Sequence, residues 1–277
     1  MATVESQTRL SNPEISTRTA FLIVDTESVP DGRLLNLVKY AEQMLSCEEA
    51  IEKARAEARD NSWNNSDFVP VTFQFPVAVC VVRVGDDFSL QAIKCIDAPL
   101  FRPREIVRQF WLGVPLYERA QLVTYNGRCF DMPLLEMAAF RYGIALRDYL
   151  EKCRKRFSSG HLDLCEWMNN YGAVRLAGGL DLLAKLLGKP GKMEVSGDQV
   201  YELYRAGKVQ EINDYCLFDT LDTYFVFLRT RVMVGEMTLE QEAELVKKGR
   251  EFLASKVEEL PALKCYLDNW GDWQPWP

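Results

Sequence analysis

Carboxylates dominate the residues that could do chemistry in this chain. Asp25-Thr26-Glu27 follows the apolar run Ala20-Phe21-Leu22-Ile23-Val24. Residues i and i+2 of an extended strand point to one side, so Asp25 and Glu27 could face a single cation. An acidic turn after a strand, with Asp25 capping the next element, accounts for the same string. A second string, Tyr125-Asn126-Gly127-Arg128-Cys129-Phe130-Asp131, holds an Asn-Gly turn signal, and its Asp131 could simply cap a helix. The third contains Tyr215, Asp219 and Asp222. Tyr215 and Asp219 are four apart and share a helical face, with Asp222 near the same face. A buried Asp needs a partner, which Tyr215 could be in a purely structural pair. His161 is the only histidine, which excludes zinc sites built on two or three histidines. If there is chemistry here, carboxylates carry it.

These acids need elements to hold them. Ala20–Val24 reads as a buried central strand with Asp25 at its carboxyl end. Residues 34–60 carry Leu, Ala, Glu, Lys and Arg at helical spacing, and the polar cluster at 61–66 closes them. The spacing predicts a helical insertion at about 34–66 that covers or narrows a site. Val77–Val84 and Phe88–Ile96 predict a hairpin about Gly85-Asp86-Asp87. Pro103 predicts a helix start, and Leu122–Tyr125 a short strand before a helix from about Pro133 to Tyr142. Beyond Leu146 the pattern is helical almost throughout. The aromatic tail at about 260–277 is expected to pack on its own domain. With no linker-like stretch, the expectation is one α/β domain over 1–277 with a helix-rich C-terminal half.

Composition narrows the field. The 277 residues carry 33 Lys+Arg against 40 Asp+Glu, a net charge of −7. That excludes a coating nucleic-acid binder relying on bulk positive charge. An enzyme that grips a few nucleotides through metal ions stays open. The eight cysteines form no CxxC, and apolar neighbours such as Val79 and Val81 around Cys80 predict buried thiols in a reducing cytosol. No apolar run approaches the roughly 20 residues that cross a bilayer, so a cytoplasmic protein without membrane contact is expected. No GxxxxGK[ST] loop is present, so no ATP is expected either. Lys152, Arg154, Lys155 and Arg156 form one basic run, and Lys185, Lys189 and Lys192 another. Phosphate contacts or a solvated face would explain each.

Taken in order, Asp-x-Glu, Asn-Gly-x-x-Phe-Asp and Tyr-x-x-x-Asp resemble the three motifs of the DEDD (DnaQ-like) exonuclease superfamily. The specific resemblance is to its DEDDy branch, 3′–5′ exonucleases related to the proofreading domain of family-B DNA polymerases. It spans roughly Phe21 to Arg229, supported by Val29-Pro30-Asp31, His161-Leu162-Asp163-Leu164 and Gly188-Lys189-Pro190-Gly191-Lys192. The resemblance implies a ribonuclease H-like mixed sheet flanked by helices. It implies that Asp25, Glu27, Asp131 and Asp219 hold two divalent cations, Mg²⁺ or Mn²⁺, and that Tyr215 orients the attacking water. Four carboxylates are the oxygen-only donor set that hard cations take. The implied reaction is hydrolysis at the 3′ end of single-stranded nucleic acid, DNA in the first instance, releasing nucleoside 5′-monophosphates. Thr26, Asn126, Gly127 and Phe130 are the expected substrate contacts, with Phe130 stacking on the terminal base. Asp222 is expected to be solvated, and His161 to be structural. A haloacid-dehalogenase-like phosphatase shares the strand leading to Asp25, but it wants Asp where Glu27 stands and leaves the other strings unexplained. A catalytically inactive nucleic-acid-binding module of the same fold is the remaining alternative. All four acids and Tyr215 are present, so nothing in the sequence favours it.

Overall fold

The computed structural model describes residues 18–274 apart from 64, 118 and 194–196. In chain order the elements are β1 (Thr19–Pro30), α1 (Gly32–Val38), α2 (Cys47–Asn61), β2 (Gln74–Gly85), β3 (Leu90–Cys95), α3 (Pro103–Gly113), β4 (Gln121–Thr124) and α4 (Asp131–Tyr142). There follow α5 (Arg147–Lys152), β5 (His161–Asp163), α6 (Leu164–Met168), α7 (Gly179–Leu186), α8 (Val200–Arg205), α9 (Val209–Met233), α10 (Leu239–Ser255) and α11 (Ala262–Asp268). The hairpin, the Pro103 helix, the β4 strand and the following helix all form where the sequence predicts them.

One five-stranded sheet in the order β3-β2-β1-β4-β5 organises the chain. β1 is central, antiparallel to β2 and parallel to β4, while β4 runs parallel to β5. The sheet is mixed and helices flank it, in agreement with the ribonuclease H-like α/β fold that the motifs imply. Side chains alternate between its faces. Ile23, Cys80 and Val82 pack with Leu217, Leu221 and Phe225 of α9. Leu22, Val24 and Val79 pack with Ile106 and Phe110 of α3 and Met132 and Leu135 of α4. Helix α9 is buried on nearly every side over its 25 residues, which is why its apolar residues form no single stripe.

Several expectations need correction. β1 does not stop at Asp25 but continues to Pro30, because Thr26–Pro30 still pair with Gln74–Val79 of β2. The segment expected as a helical insertion holds two helices, α1 and α2. Gly32 lies so close to the Cys47 carbonyl that a Cβ there would stand 2.2 Å from it. α1 and α2 thereby join the main core through Leu35, Ala50 and Ile51. The short strand β5 falls inside the stretch expected to be helical. Its three residues are too few to show a period-two pattern. Cys80, Cys95, Cys153 and Cys216 are buried as expected, but Cys47, Cys129 and Cys265 are exposed.

Asp222 is not solvated. It is 0% exposed, and its Oδ1 accepts a 2.7 Å hydrogen bond from Tyr266 of α11. Burial pushes its carboxyl up to about 7, and the Tyr266 hydroxyl and the nearby Lys189 act in the opposite direction. Lys189 is buried too, with its ammonium 4.4 Å from the Trp270 ring centroid. The aromatic tail therefore docks on its own chain: Trp270 packs on Phe225 and Tyr266, and the Gly271 N–H donates to the Gly188 carbonyl. Residues 275–277 of that tail lie outside the described ones.

Tyr266→Phe removes the donor to Asp222 and should cost about 1–3 kcal/mol of stability, the scale of a buried acceptor left unsatisfied. Because the hydroxyl favours the ionised carboxylate, the loss should be larger at pH 8 than at pH 5. Urea unfolding of both proteins at the two pH values checks this, and a pH-independent difference would contradict it.

Candidate active site

The three strings converge where β1 outruns its neighbour. β4 pairs with β1 only over Phe21–Ile23, so from Asp25 onward that edge of the central strand is open. Asp25 and Glu27 share the face that α9 covers, and Asp219 of α9 comes down onto them. Carboxylate oxygens of Asp25, Glu27 and Asp219 all lie within 4.8 Å of one another. The Cys216 thiol donates to the Asp25 carbonyl at 3.3 Å and ties helix to strand at this point. One turn before Asp219, Tyr215 is buried against the same acids.

Asp131 approaches from the other face, in the first turn of α4. Thr26 points to that face, and its hydroxyl donates to Asp131 Oδ1 at 2.8 Å. Thr26 is only 2% exposed. The hydroxyl of Thr26, named as a substrate contact, is thus committed to orienting a carboxylate. Gly127, also expected at the substrate, is buried. A Cβ there would stand 2.4 Å from Thr124 Oγ1, so no larger residue fits the turn. Asn126 adopts the left-handed conformation, φ 64°, which Asn tolerates, and its side chain is exposed. Phe130 is half-buried, with its ring centroid 5.8 Å from that of Phe68.

The turn has an anchor that sequence reasoning did not single out. Asp163, at the end of β5, accepts from the Asn126 N–H at 2.9 Å and the Arg128 N–H at 2.8 Å. It also caps α6 through the N–H groups of Cys165 and Glu166. One buried carboxylate thereby sets the loop that carries Asp131. The only sequence signal for it was the string His161-Leu162-Asp163-Leu164. His161 is structural: Nε2 lies 2.9 Å from Thr124 Oγ1, and burial together with Arg128 pushes the imidazole down to about 3.

Electrostatically the acids are crowded. Burial first, then Cys216, Asp131, Asp219 and Glu27, raises Asp25 far above the usual carboxylate range. Burial, Asp219 and Asp131 do the same to Glu27. Burial lifts Asp131 to about 7 against the hydrogen bond from Thr26. It lifts Asp219 to about 6 against Tyr215 and Lys192. The Tyr215 hydroxyl is pushed well up, by burial and then by the acids, so it stays protonated. Lys192 is the cation that counteracts the acids at both Glu27 and Asp219. It stands on the Gly188–Lys192 loop, where Gly191 has φ +61 and a Cβ would stand 2.5 Å from Asp181. Of the basic residues expected along a phosphate path, Lys189 is buried. Arg154 and Arg156 pair with Glu136 and Glu166, and Lys152 with Asp148.

A hard divalent cation fits this donor set. All the donors are carboxylate oxygens, and Asp25 Oδ2 is a buried oxygen with no hydrogen-bond partner. Like charges this close are stable together only when protonated or bridged by a cation.

The family described as "Predicted 3'-5' exonuclease related to the exonuclease domain of PolB" matches residues 66–270. The chain belongs to this family. The match to the PolB-related exonucleases takes in Asp131, Tyr215 and Asp219. Asp25 and Glu27 lie before it and join these residues through the sheet. No curated protein matches the chain. A solved family B DNA polymerase from the hyperthermophilic archaeon Pyrobaculum calidifontis is similar at 16% identity and a TM-score of 0.44 over 71% of this chain. The similar region spans 25% of that polymerase's length.

Raised carboxylates favour the folded state at low pH, and that contribution is lost as pH rises through the folded values of about 6 and about 7. In EDTA, melting temperature should therefore fall between pH 5 and pH 8. Mg²⁺ or Mn²⁺ should raise it at pH 8 and do little at pH 5. A melting curve at pH 8 that ignores both cations would remove the metal assignment.

Proposed function

We propose that the protein is a metal-dependent 3′–5′ exonuclease that degrades single-stranded nucleic acid, DNA in the first instance, to nucleoside 5′-monophosphates. Asp25, Glu27, Asp131 and Asp219 would hold two divalent cations, Mg²⁺ or Mn²⁺, and residues 1–277 act as one exonuclease domain. The observation that carries this reading is the convergence of Asp25, Glu27 and Asp219 within 4.8 Å, from a strand and a helix distant in sequence. Membership of a PolB-related exonuclease family supports it. Among the described residues no helix is long and apolar enough to cross a membrane.

The cations, when bound, supply water activation and charge neutralisation at the scissile phosphate. The chain's own groups do the rest. β1 fixes Asp25 and Glu27 on one face, while Thr26 turns the Asp131 carboxylate toward them from the other. Tyr215 keeps its proton at working pH, so its hydroxyl can hold an attacking water by accepting or donating one hydrogen bond. Water adds to phosphorus, the bond to the 3′ oxygen breaks, and the shortened strand keeps a 3′ hydroxyl. Lys192 stands where it can offset negative charge as the monophosphate leaves. Phe130, with Phe68 behind it, offers a ring to the terminal base.

Asp25→Ala and Asp219→Ala should each lower turnover at least about 100-fold and abolish the metal-dependent rise in melting temperature. Tyr215→Phe should lose on the order of 10²-fold in turnover while keeping that rise. Loss of both properties in Tyr215→Phe would make Tyr215 a structural partner of Asp219.

A 5′-labelled linear single strand should shorten from its 3′ side with Mg²⁺, without ATP, and a circle of the same sequence should survive. Rapid cutting of the circle would show an endonuclease. An intact linear strand under every metal condition would show an inactive binding module.

A further inference from the structure

Exposed aromatic rings are ordinary on a protein surface when scattered singly. Here they come in contacting groups that begin beside Asp131. Phe130 meets Phe68, which is 53% exposed. The loop after α2 that carries Phe68 also carries Trp63, 78% exposed, with the guanidinium of Arg175 4.5 Å from its ring centroid. Phe68 lies five residues beyond Trp63, so at most about 18 Å of chain joins the first two stations. Arg175 in turn lies four residues beyond Tyr171, at most about 14 Å of chain. Tyr171 is 51% exposed and Phe157 is 85% exposed, with ring centroids 6.2 Å apart. Arg156 stands 5.8 Å from each ring and donates to the Tyr171 carbonyl.

We propose that these three stations form a stacking track that carries a single strand of nucleic acid to the acid cluster. The proposal rests on the exonuclease reading and adds the path of its substrate. Every base has a face that an aromatic ring can cover, whereas phosphates need cations. Rings beside the Arg175 guanidinium satisfy both needs on a chain whose net charge is −7, while Arg156, paired with Glu166, steadies the Phe157 and Tyr171 rings. Arg175 makes no ion pair among the described residues, so its charge can serve a phosphate without first leaving a carboxylate. The segments involved, α2's trailing loop and the turns around Arg156 and Tyr171, lie far apart in sequence and meet only in the fold.

The test uses the full chain in EDTA, so that binding is read without hydrolysis. Fluorescence anisotropy is followed with 5′-fluorescein oligo(dT) of about 4 and about 16 nucleotides, lengths that bracket the usual reach of stacking sites. Trp63→Ala and Tyr171→Ala should weaken the long oligonucleotide about 5- to 150-fold each and leave the short one unchanged. Arg175→Gln should also flatten the dependence of affinity on salt. Wild-type melting temperatures in the variants would exclude unfolding as the cause. Unchanged binding of the long oligonucleotide in Trp63→Ala and Tyr171→Ala would overturn the track, as would no oligonucleotide binding by the wild type. Long-oligonucleotide weakening in a protein that hydrolyses nothing would leave the track standing and remove the exonuclease reading. Normal hydrolysis with unchanged binding in the variants would do the reverse.

Discussion

Like-charged carboxylates meet where the central strand outruns its parallel neighbour, and the surrounding structure must hold them together against their repulsion. At separations under 4.8 Å, two unit charges at an effective dielectric of about 20 repel by about 3–4 kcal/mol. The free protein relieves this by keeping protons on the acids: burial, with the neighbouring acids adding to it, raises Asp25 and Glu27, and burial lifts Asp131 and Asp219 to about 7 and about 6. A site that prefers protons when empty prefers divalent cations when they are present. The cost in the empty state and the affinity for metal have one physical origin.

Rigid elements hold the cluster on three sides. β1 is hydrogen-bonded to β2 through Pro30, so Asp25 and Glu27 cannot swing apart. Helix α9 is locked by burial along its length. The loop before α4 has no regular structure of its own, and Asp163 fixes it by accepting two of its N–H groups. Thr26 then joins Asp131 to the strand directly. The four acids therefore rest on three kinds of support: a sheet ladder for Asp25 and Glu27, a buried helix for Asp219 and a capped turn for Asp131.

The Gly188–Lys192 loop connects the site to the C-terminal tail. Trp270 and Tyr266 enclose Lys189 and Asp222 in the core, and Gly271 bonds to Gly188. The far end of the loop carries Lys192 toward Glu27 and Asp219. Two lysines three residues apart thus have opposite fates: Lys189 is desolvated and pushed down to about 8, whereas Lys192 remains exposed beside the acids. Anchoring the first is what directs the second.

The sequence by itself determined the central strand, the hairpin, the helix after β4 and the residues of all three acidic strings, because each is a local pattern of apolar spacing and residue type. It placed His161 as a structural residue, and the described part of the tail expected at about 260–277 packs on its own chain. It could not show that Thr26 faces Asp131, or that Gly127 is buried against Thr124, since both depend on what lies across the sheet. Asp222 looked like a solvated acid because its partner, Tyr266, is 44 residues away. Lys189 looked like a surface cation because the rings that cover it come from α9 and the tail. β5 was invisible, its three residues being too short for any periodicity, yet its last residue anchors the second string. Tertiary structure alone decided which acids touch, which are paired away and which lysine is buried, because burial and charge contact depend on distance in space, not along the chain.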